Sequence, residues 1–268
     1  MPELPEVETI ARSLRPALAG RKVTAVRLLW PRTLETPSPN EFQERITGQT
    51  ICSTRRRGKF LILNLTTDYL LIHLRMSGDL RIEPDDGENA LHDRLIVSLD
   101  DGRRLTFNDP RKFGRAWLVE DQACVVGGLG PEPLDETFTP ADLYRSLQTH
   151  RRQLKPLLLD QTFLAGLGNI YVDESLYRAR LHPLTPSQSV SPEQAEALWH
   201  GIRASLQEGI RRNGASIDWV YRGGDFQNYF RAYQRTGQPC PQCGTPIERI
   251  IVGQRGTHYC PTCQRISI

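Results

Sequence analysis

Apolar residues at Val7, Ile10, Ala11 and Leu14 share one face at helical spacing, and they predict a helix that begins at Pro5. Proline suits the first helical position, where its missing N–H costs nothing, and Glu6 and Glu8 sit near the positive end of the dipole. Pro16 and Gly20 are expected to end or bend this helix. The period then changes to two. Lys22–Trp30, Phe60–Leu65, Tyr69–Leu74, Leu80–Glu83, Arg94–Leu99, Arg103–Asn108 and Arg115–Glu120 read as short strands. Asp100-Asp101-Gly102 reads as a hairpin turn, and Pro84–Gly87 as the start of a longer loop. So many short strands before residue 121 predict a β-sandwich or barrel.

Breakers crowd Gly127–Pro133, and helical periodicity follows at Pro140–Gln148, Leu154–Leu159, Asn169–Arg180 and Ser191–Asn213. The last carries an N-cap serine, Ser191, then Pro192 and the capping-box residue Gln194. Ser216–Arg231 has weak periodicity around Gly223-Gly224 and reads as a mobile loop. The pattern predicts an α+β multidomain chain. Residues 1–133 form an N-terminal β-sandwich with a leading helix, 134–225 a helical domain, and 226–268 a small C-terminal module.

That module holds the clearest chemistry. Cys240-Pro241-Gln242-Cys243 and Cys260-Pro261-Thr262-Cys263 are two C-x₂-C knuckles with sixteen residues between them. The spacing suits four thiolates around one zinc ion, with no coordination position left for a substrate. Cys52 and Cys124 stand alone in β-like stretches and are expected to be packing residues. The net charge is only +3, but Phe226–Ile268 carries five arginines, no lysine and one acid. Arg55-Arg56-Arg57-Gly58-Lys59 is a second basic cluster. Concentrated basic patches suit polyanion contacts, although a solvated charged face explains such a run equally well. No apolar run reaches membrane-spanning length and no leader pattern opens the chain, so a cytoplasmic protein is the expectation.

The first nine residues, Met1-Pro2-Glu3-Leu4-Pro5-Glu6-Val7-Glu8-Thr9, admit two readings. Removal of Met1 would leave Pro2 with a free secondary amine, and α-amino groups titrate at about 7.7–8.0. Such an amine attacks an aldehyde-level carbon to give an iminium ion, with the Glu3 carboxylate alongside. The other reading is a processing relic followed by a helix start.

The N-terminal run, His73-Leu74-Arg75-Met76-Ser77-Gly78, Asp109-Pro110-Arg111-Lys112-Phe113-Gly114, Gly166-Leu167-Gly168-Asn169-Ile170-Tyr171 and the cysteine module occur in this order. In all of them the chain resembles the bacterial formamidopyrimidine-DNA glycosylases, which remove oxidised purines such as 8-oxoguanine. The resemblance implies a β-sandwich, a helix–two-turns–helix domain and a β-hairpin zinc finger. It also implies excision of the damaged base followed by β- and δ-elimination at the resulting abasic site. Pro2 would be the nucleophile, Glu3 the proton-transferring acid, and Lys59 a lysine near the lesion. Glu6 would be a secondary acid of the pocket, although a favourable first-turn helix acid describes it as well. Met76, Arg111 and Phe113 match the family's intercalating residues, which fill the hole left by an extruded nucleotide. His73, Lys155, Asn169 and Arg255 match phosphate-gripping positions. The implied partner is double-stranded DNA containing oxidised purines or abasic sites, bound by a monomer associated with the nucleoid.

Two alternatives remain at this level. Endonuclease VIII shares the scaffold but prefers oxidised pyrimidines, and usually starts Pro-Glu-Gly-Pro-Glu rather than Pro-Glu-Leu-Pro-Glu. A catalytically silent damage-binding protein would need neither Pro2 nor Glu3.

Overall fold

The computed structural model describes residues 1–216 and 223–266. The chain divides into two compact units, Met1–Gly128 with Ser216–Gly223, and Leu129–Ala215 with Gly224–Ile268. The helical segment and the cysteine module fall within the same unit.

In the first unit α1 (Leu4–Leu18) buries the expected stripe of Val7, Ile10, Ala11 and Leu14, and with it Leu4 and Leu18. It runs past Pro16 before Gly20 turns the chain with φ +74°. The strands are β1 (Val23–Leu28), β2 (Leu34–Thr36), β3 (Ile51–Arg57), β4 (Phe60–Leu65), β5 (Tyr69–His73), β6 (Asp79–Pro84), β7 (Asp93–Leu99), β8 (Arg103–Asn108) and β9 (Arg115–Val119). A helix α2 (Pro39–Ile46) precedes β3, and a one-turn helix α3 (Ala123–Val126) follows β9. One sheet has the order β1-β7-β8-β6 and the other β2-β9-β5-β4-β3. Ile72 and Leu63 of one sheet, Val97, Leu105 and Phe107 of the other, and the α1 stripe join in one buried core. That shared core makes the unit a sandwich, and truncating a fully buried member such as Phe107 to alanine costs about 3–5 kcal/mol.

In the second unit α4 (Pro140–Gln148), α5 (Leu154–Leu159), α6 (Asn169–Ala179) and α7 (Pro192–Arg211) precede the hairpin β10 (Glu248–Val252) and β11 (Arg255–Tyr259). The Ser191 hydroxyl accepts the Gln194 N–H at 3.2 Å while the Gln194 side chain takes the Ser191 N–H at 2.9 Å, so α7 begins with the expected capping box. α7 packs on α6. At Gly209 a Cβ would lie 2.5 Å from the buried Tyr171 ring, so only glycine lets the helices approach there. Tyr171 in turn stacks on Phe226, with centroids 5.2 Å apart and planes 2° from parallel. No helix among the described residues is long and apolar enough to cross a membrane.

Candidate functional site

Strand register gathers several of the expected site residues at one end of the sandwich. Phe60 pairs with His73 across β4 and β5, His73 with Arg115 across β5 and β9, and Asp79 with Asn108 across β6 and β8. The β3–β4 turn with Lys59, the β5–β6 turn with Met76, and the β8–β9 turn with Arg111 and Phe113 therefore open at the same edge.

The chain start is anchored toward that edge. Arg15 Nε donates to Thr54 O at 3.0 Å, and Arg56 Nε meets Glu8 Oε2 at 3.1 Å. Going back along α1 thus means going forward along β3, so the first turn of α1 lies toward the Lys59 end. Pro2 and Glu3 are buried just ahead of the helix. Glu3 is its N-cap, and its N–H donates to Glu6 Oε2 at 2.7 Å to close a capping box. The Glu6 carboxylate thereby fixes the backbone that presents Pro2 and Glu3. Nor is the basic run 55–59 a solvated face. Arg55 reaches Gln122, Arg56 pairs with Glu8, and Lys59 is buried.

His73 sits beside Lys59, with its ring edge-on to Phe60 at 4.8 Å. Its Nδ1 accepts the Arg75 N–H at 3.0 Å, which leaves Nε2 to carry the ring proton. Burial, with the charges of Arg75 and Lys59, lowers its pKa from 6.5 to about 3. His73 is therefore a neutral N–H donor at physiological pH, suited to a phosphate oxygen without contributing charge.

Met76 and Phe113 are large apolar side chains left 40% and 47% exposed, and the Arg111 guanidinium lies 5.1 Å from the centre of the Phe113 ring. Asp109 fixes the turns that carry them. Its buried carboxylate accepts the Gly114 N–H at 2.7 Å, the Arg111 N–H at 3.2 Å and the Ser77 hydroxyl. One side chain thereby staples the β5–β6 turn to the β8–β9 turn. Gly78 completes the fit, because a Cβ there would lie 2.7 Å from the Phe107 ring.

In the second unit the expected phosphate grip divides differently. Lys155 departs from expectation: its side chain is fully buried, its ammonium pairs with Asp173 and it donates to Asn169 O at 3.2 Å. An ammonium enclosed in this way holds protein rather than phosphate. Through Asp173 it orients the zinc hairpin, since Asp173 Oδ2 also accepts the His258 N–H at 2.9 Å. Asn169, the first residue of α6, donates from Nδ2 to Gly256 O at 3.0 Å. Arg255 is exposed at the tip of the β10–β11 hairpin, beyond a turn in which Gly253 and Gln254 have φ +55° and +63°.

The cysteines behave as two classes. The Sγ atoms of Cys240, Cys243, Cys260 and Cys263 all lie within 4.8 Å of one another, with the Cys240–Cys263 pair at 4.0 Å and the Cys243–Cys260 pair at 3.5 Å. Tetrahedral zinc with Zn–S near 2.3 Å separates its sulfurs by about 3.8 Å, so the donor set fits one structural zinc. Cys52 and Cys124 are exposed rather than packed, a correction to the expectation for both. Cys52 falls at the register irregularity between Ile51 and Ser53 of β3, unpaired with β4 and turned outward, and Cys124 lies in α3, which its β-like surroundings concealed.

Several functional supports are not evident from sequence reasoning. Glu174 is fully buried in α6 and accepts the N–H groups of Arg231, Ala232 and Tyr233 at 3.0, 2.9 and 2.9 Å. Burial raises its pKa against the lowering effect of those donors. Asp173 and Tyr177 reach partners 85 and 63 residues away. Only Asp109 and Ser77 gave a signal, by lying inside two recognisable motifs. Residues 217–222, within the stretch that reads as a mobile loop, lie outside the described residues.

Comparison with known proteins reaches almost the full length of the chain. The sequence model for the formamidopyrimidine-DNA glycosylase N-terminal domain matches residues 1–116, that for the glycosylase H2TH domain residues 129–220, and that for the zinc finger found in FPG and IleRS residues 237–266. The formamidopyrimidine-DNA glycosylase of Chloroflexus aurantiacus is 50% identical over 98% of both chains, and that of a Roseiflexus species 46% identical over 99% of this chain and 100% of its own. Lactococcus lactis Fpg in complex with DNA containing an abasic site superposes with a TM-score of 0.91 at 36% identity, covering 98% of this chain and 99% of the other. The wild-type form of the same enzyme on DNA containing a benzyl-Fapy-dG gives a TM-score of 0.92 at 36% identity, covering 98% and 100%. With the sandwich, the helical unit and the four-cysteine hairpin present in that order, this chain belongs to the formamidopyrimidine-DNA glycosylase family.

Proposed function

We propose that the protein is a bifunctional DNA glycosylase and abasic-site lyase of base excision repair, acting on oxidised purines in duplex DNA. Family membership over the full length supports the activity. The observation that carries the assignment of residues is the gathering of Pro2–Glu3, Lys59, His73 and the exposed Met76–Arg111–Phe113 set toward one end of a rigid sandwich.

Once Met1 is removed, the Pro2 nitrogen attacks C1′ of the damaged nucleotide. The C1′–N bond to Pro2 forms, the glycosidic bond breaks, and the base leaves with a proton. Glu3 protonates the ring oxygen as the sugar opens, and the lone pair of Pro2 completes an iminium ion. That electron sink acidifies the C2′ hydrogen, so removal of a proton expels the 3′ phosphate and a second elimination expels the 5′ phosphate. Glu3, held by the capping box, moves protons in both stages. Lys59 supplies positive charge near the lesion. Extrusion of the nucleotide costs a few kcal/mol of stacking, which Met76 and Phe113 offset by filling the gap, while Arg111 hydrogen-bonds the orphaned base. His73, Asn169 and Arg255 hold phosphates, and zinc stiffens the hairpin that presents Arg255. Such a protein works on the nucleoid in the cytoplasm.

The test is excision from two duplexes, one with 8-oxoguanine opposite cytosine and one with an oxidised pyrimidine. The reading predicts preferential release from the first, with both 3′ and 5′ phosphate ends at a one-nucleotide gap. Preference for the pyrimidine duplex, or an intact strand after base release, contradicts it.

A further inference from the structure

α6 meets the cysteine module along a single stripe. Asn169 donates to Gly256 O, Asp173 accepts from His258, and the Tyr177 hydroxyl lies 3.2 Å from Cys240 Sγ. Steps of four residues keep these side chains on one helical face. The first two contacts fix the DNA-presenting hairpin, whereas the third reaches a metal ligand.

The direction of that third contact follows from the ligand chemistry. Cys240 binds zinc as a thiolate and has no proton to give, so the tyrosine O–H must donate. The need for a donor is also physical. One zinc ion with four thiolates carries a net charge of about −2. Cys243 is exposed and Cys263 half-buried, but Cys240 is 3% and Cys260 0% exposed, packed among Tyr177, Ala232 and Ile247, so water does little to solvate these two thiolates. Backbone N–H groups supply part of the compensation, from Gln242 to Cys240 Sγ and from Cys263 to Cys260 Sγ, both at 3.4 Å. Tyr177 provides the side-chain donor at Cys240, from the rigid helix that also begins with Asn169.

We propose that Tyr177 is a positioning residue for the zinc centre, its hydroxyl donating to the Cys240 thiolate so that the metal is retained and the first knuckle is held in register with α6. The proposal rests on the zinc assignment, and removal of an outer partner to a metal ligand typically weakens metal binding about 10–100-fold.

Tyr177→Phe tests it, because the phenyl ring keeps the apolar seat and loses only the hydroxyl. Far-UV circular dichroism checks that the fold is intact. Zinc content is measured first, and release to an excess of chelator is then followed with time. Zinc should leave the variant about 10-fold faster than the wild type. With cobalt(II) in place of zinc, the thiolate-to-metal charge-transfer band should move to lower energy in the variant, since a thiolate without its hydrogen bond is the better electron donor. Equal release rates and an unmoved band in a zinc-loaded pair would overturn the role of Tyr177 alone. A wild-type chain that retains no zinc would overturn the metal assignment and the proposal with it.

Discussion

Acidification should destabilise the first unit through His73, and the effect can be sized from its surroundings. The native ring is enclosed between Phe60 and two cationic neighbours and stays neutral down to about pH 3, whereas the unfolded ring titrates at its ordinary 6.5. Between these values the unfolded chain binds more protons than the native one, so stability falls as pH falls below 6.5. At pH 5 the unfolded ring lies about 1.5 pH units below its pKa, which corresponds to about 2 kcal/mol of lost stability. The figure depends only on the native pKa lying well below 5. His73→Gln keeps an acceptor for the Arg75 N–H and abolishes the titration. Urea denaturation of both proteins at pH 7.5 and pH 5, monitored by tryptophan fluorescence, gives the comparison. The wild type should lose about 2 kcal/mol more than the variant over that interval. Equal losses, or a His73 resonance titrating near its ordinary value by NMR, would refute the reasoning.

Other substitutions read the remaining parts of the site. Asp109→Ala leaves the Gly114 N–H and the Ser77 hydroxyl without their acceptor, and should cost about 1–3 kcal/mol in thermal or urea unfolding while weakening duplex binding. Lys155→Met leaves Asp173 buried without its cation and should cost about 3–5 kcal/mol, whereas Lys155→Met with Asp173→Leu should recover part of the loss. Met76→Ala with Phe113→Ala touches exposed side chains, so unfolding should change by about 0.5 kcal/mol or less while excision from duplex DNA falls sharply. Arg255→Gln should reduce the salt dependence of DNA binding by about one unit of log K against log salt, which a fluorescence-anisotropy series at several salt concentrations would measure.

Much of this architecture is legible in the sequence. α1 and α7 each bury one regular face; β5, β7 and β8 are buried at nearly every position and stand out as short runs between turn residues; and the two cysteine knuckles announce their ligand geometry by spacing alone. The elements not anticipated share a different trait. β3 reads Ile51-Cys52-Ser53-Thr54-Arg55-Arg56-Arg57, where half-buried arginines disguise a strand as a charge run. α2 buries only Phe42 and Ile46, too few positions to establish a period, although Ser38 and Pro39 mark its start. Within the site, Pro2, Glu3, His73, Met76, Arg111 and Phe113 stand out because they lie in local motifs, and so do Asp109 and Ser77. Asp173, Glu174 and Tyr177 hold partners distant in sequence and do not. Lys155 illustrates the limit: a basic residue at a phosphate-gripping position proves to be the buried counter-ion of Asp173, and nothing local to it distinguishes the two roles.

The central claim is that the N-terminal amine performs the chemistry. Borohydride reduction during reaction with an 8-oxoguanine duplex converts an iminium intermediate into a stable adduct, and peptide mass mapping locates its site. Intact mass should first show the chain without Met1. A single adduct on the Pro2 nitrogen is then expected, reduced strongly by Pro2→Gly and by Glu3→Gln. An adduct carried by Lys59 or any other lysine, or base release with no adduct from a chain whose Pro2 amine is free, would contradict it.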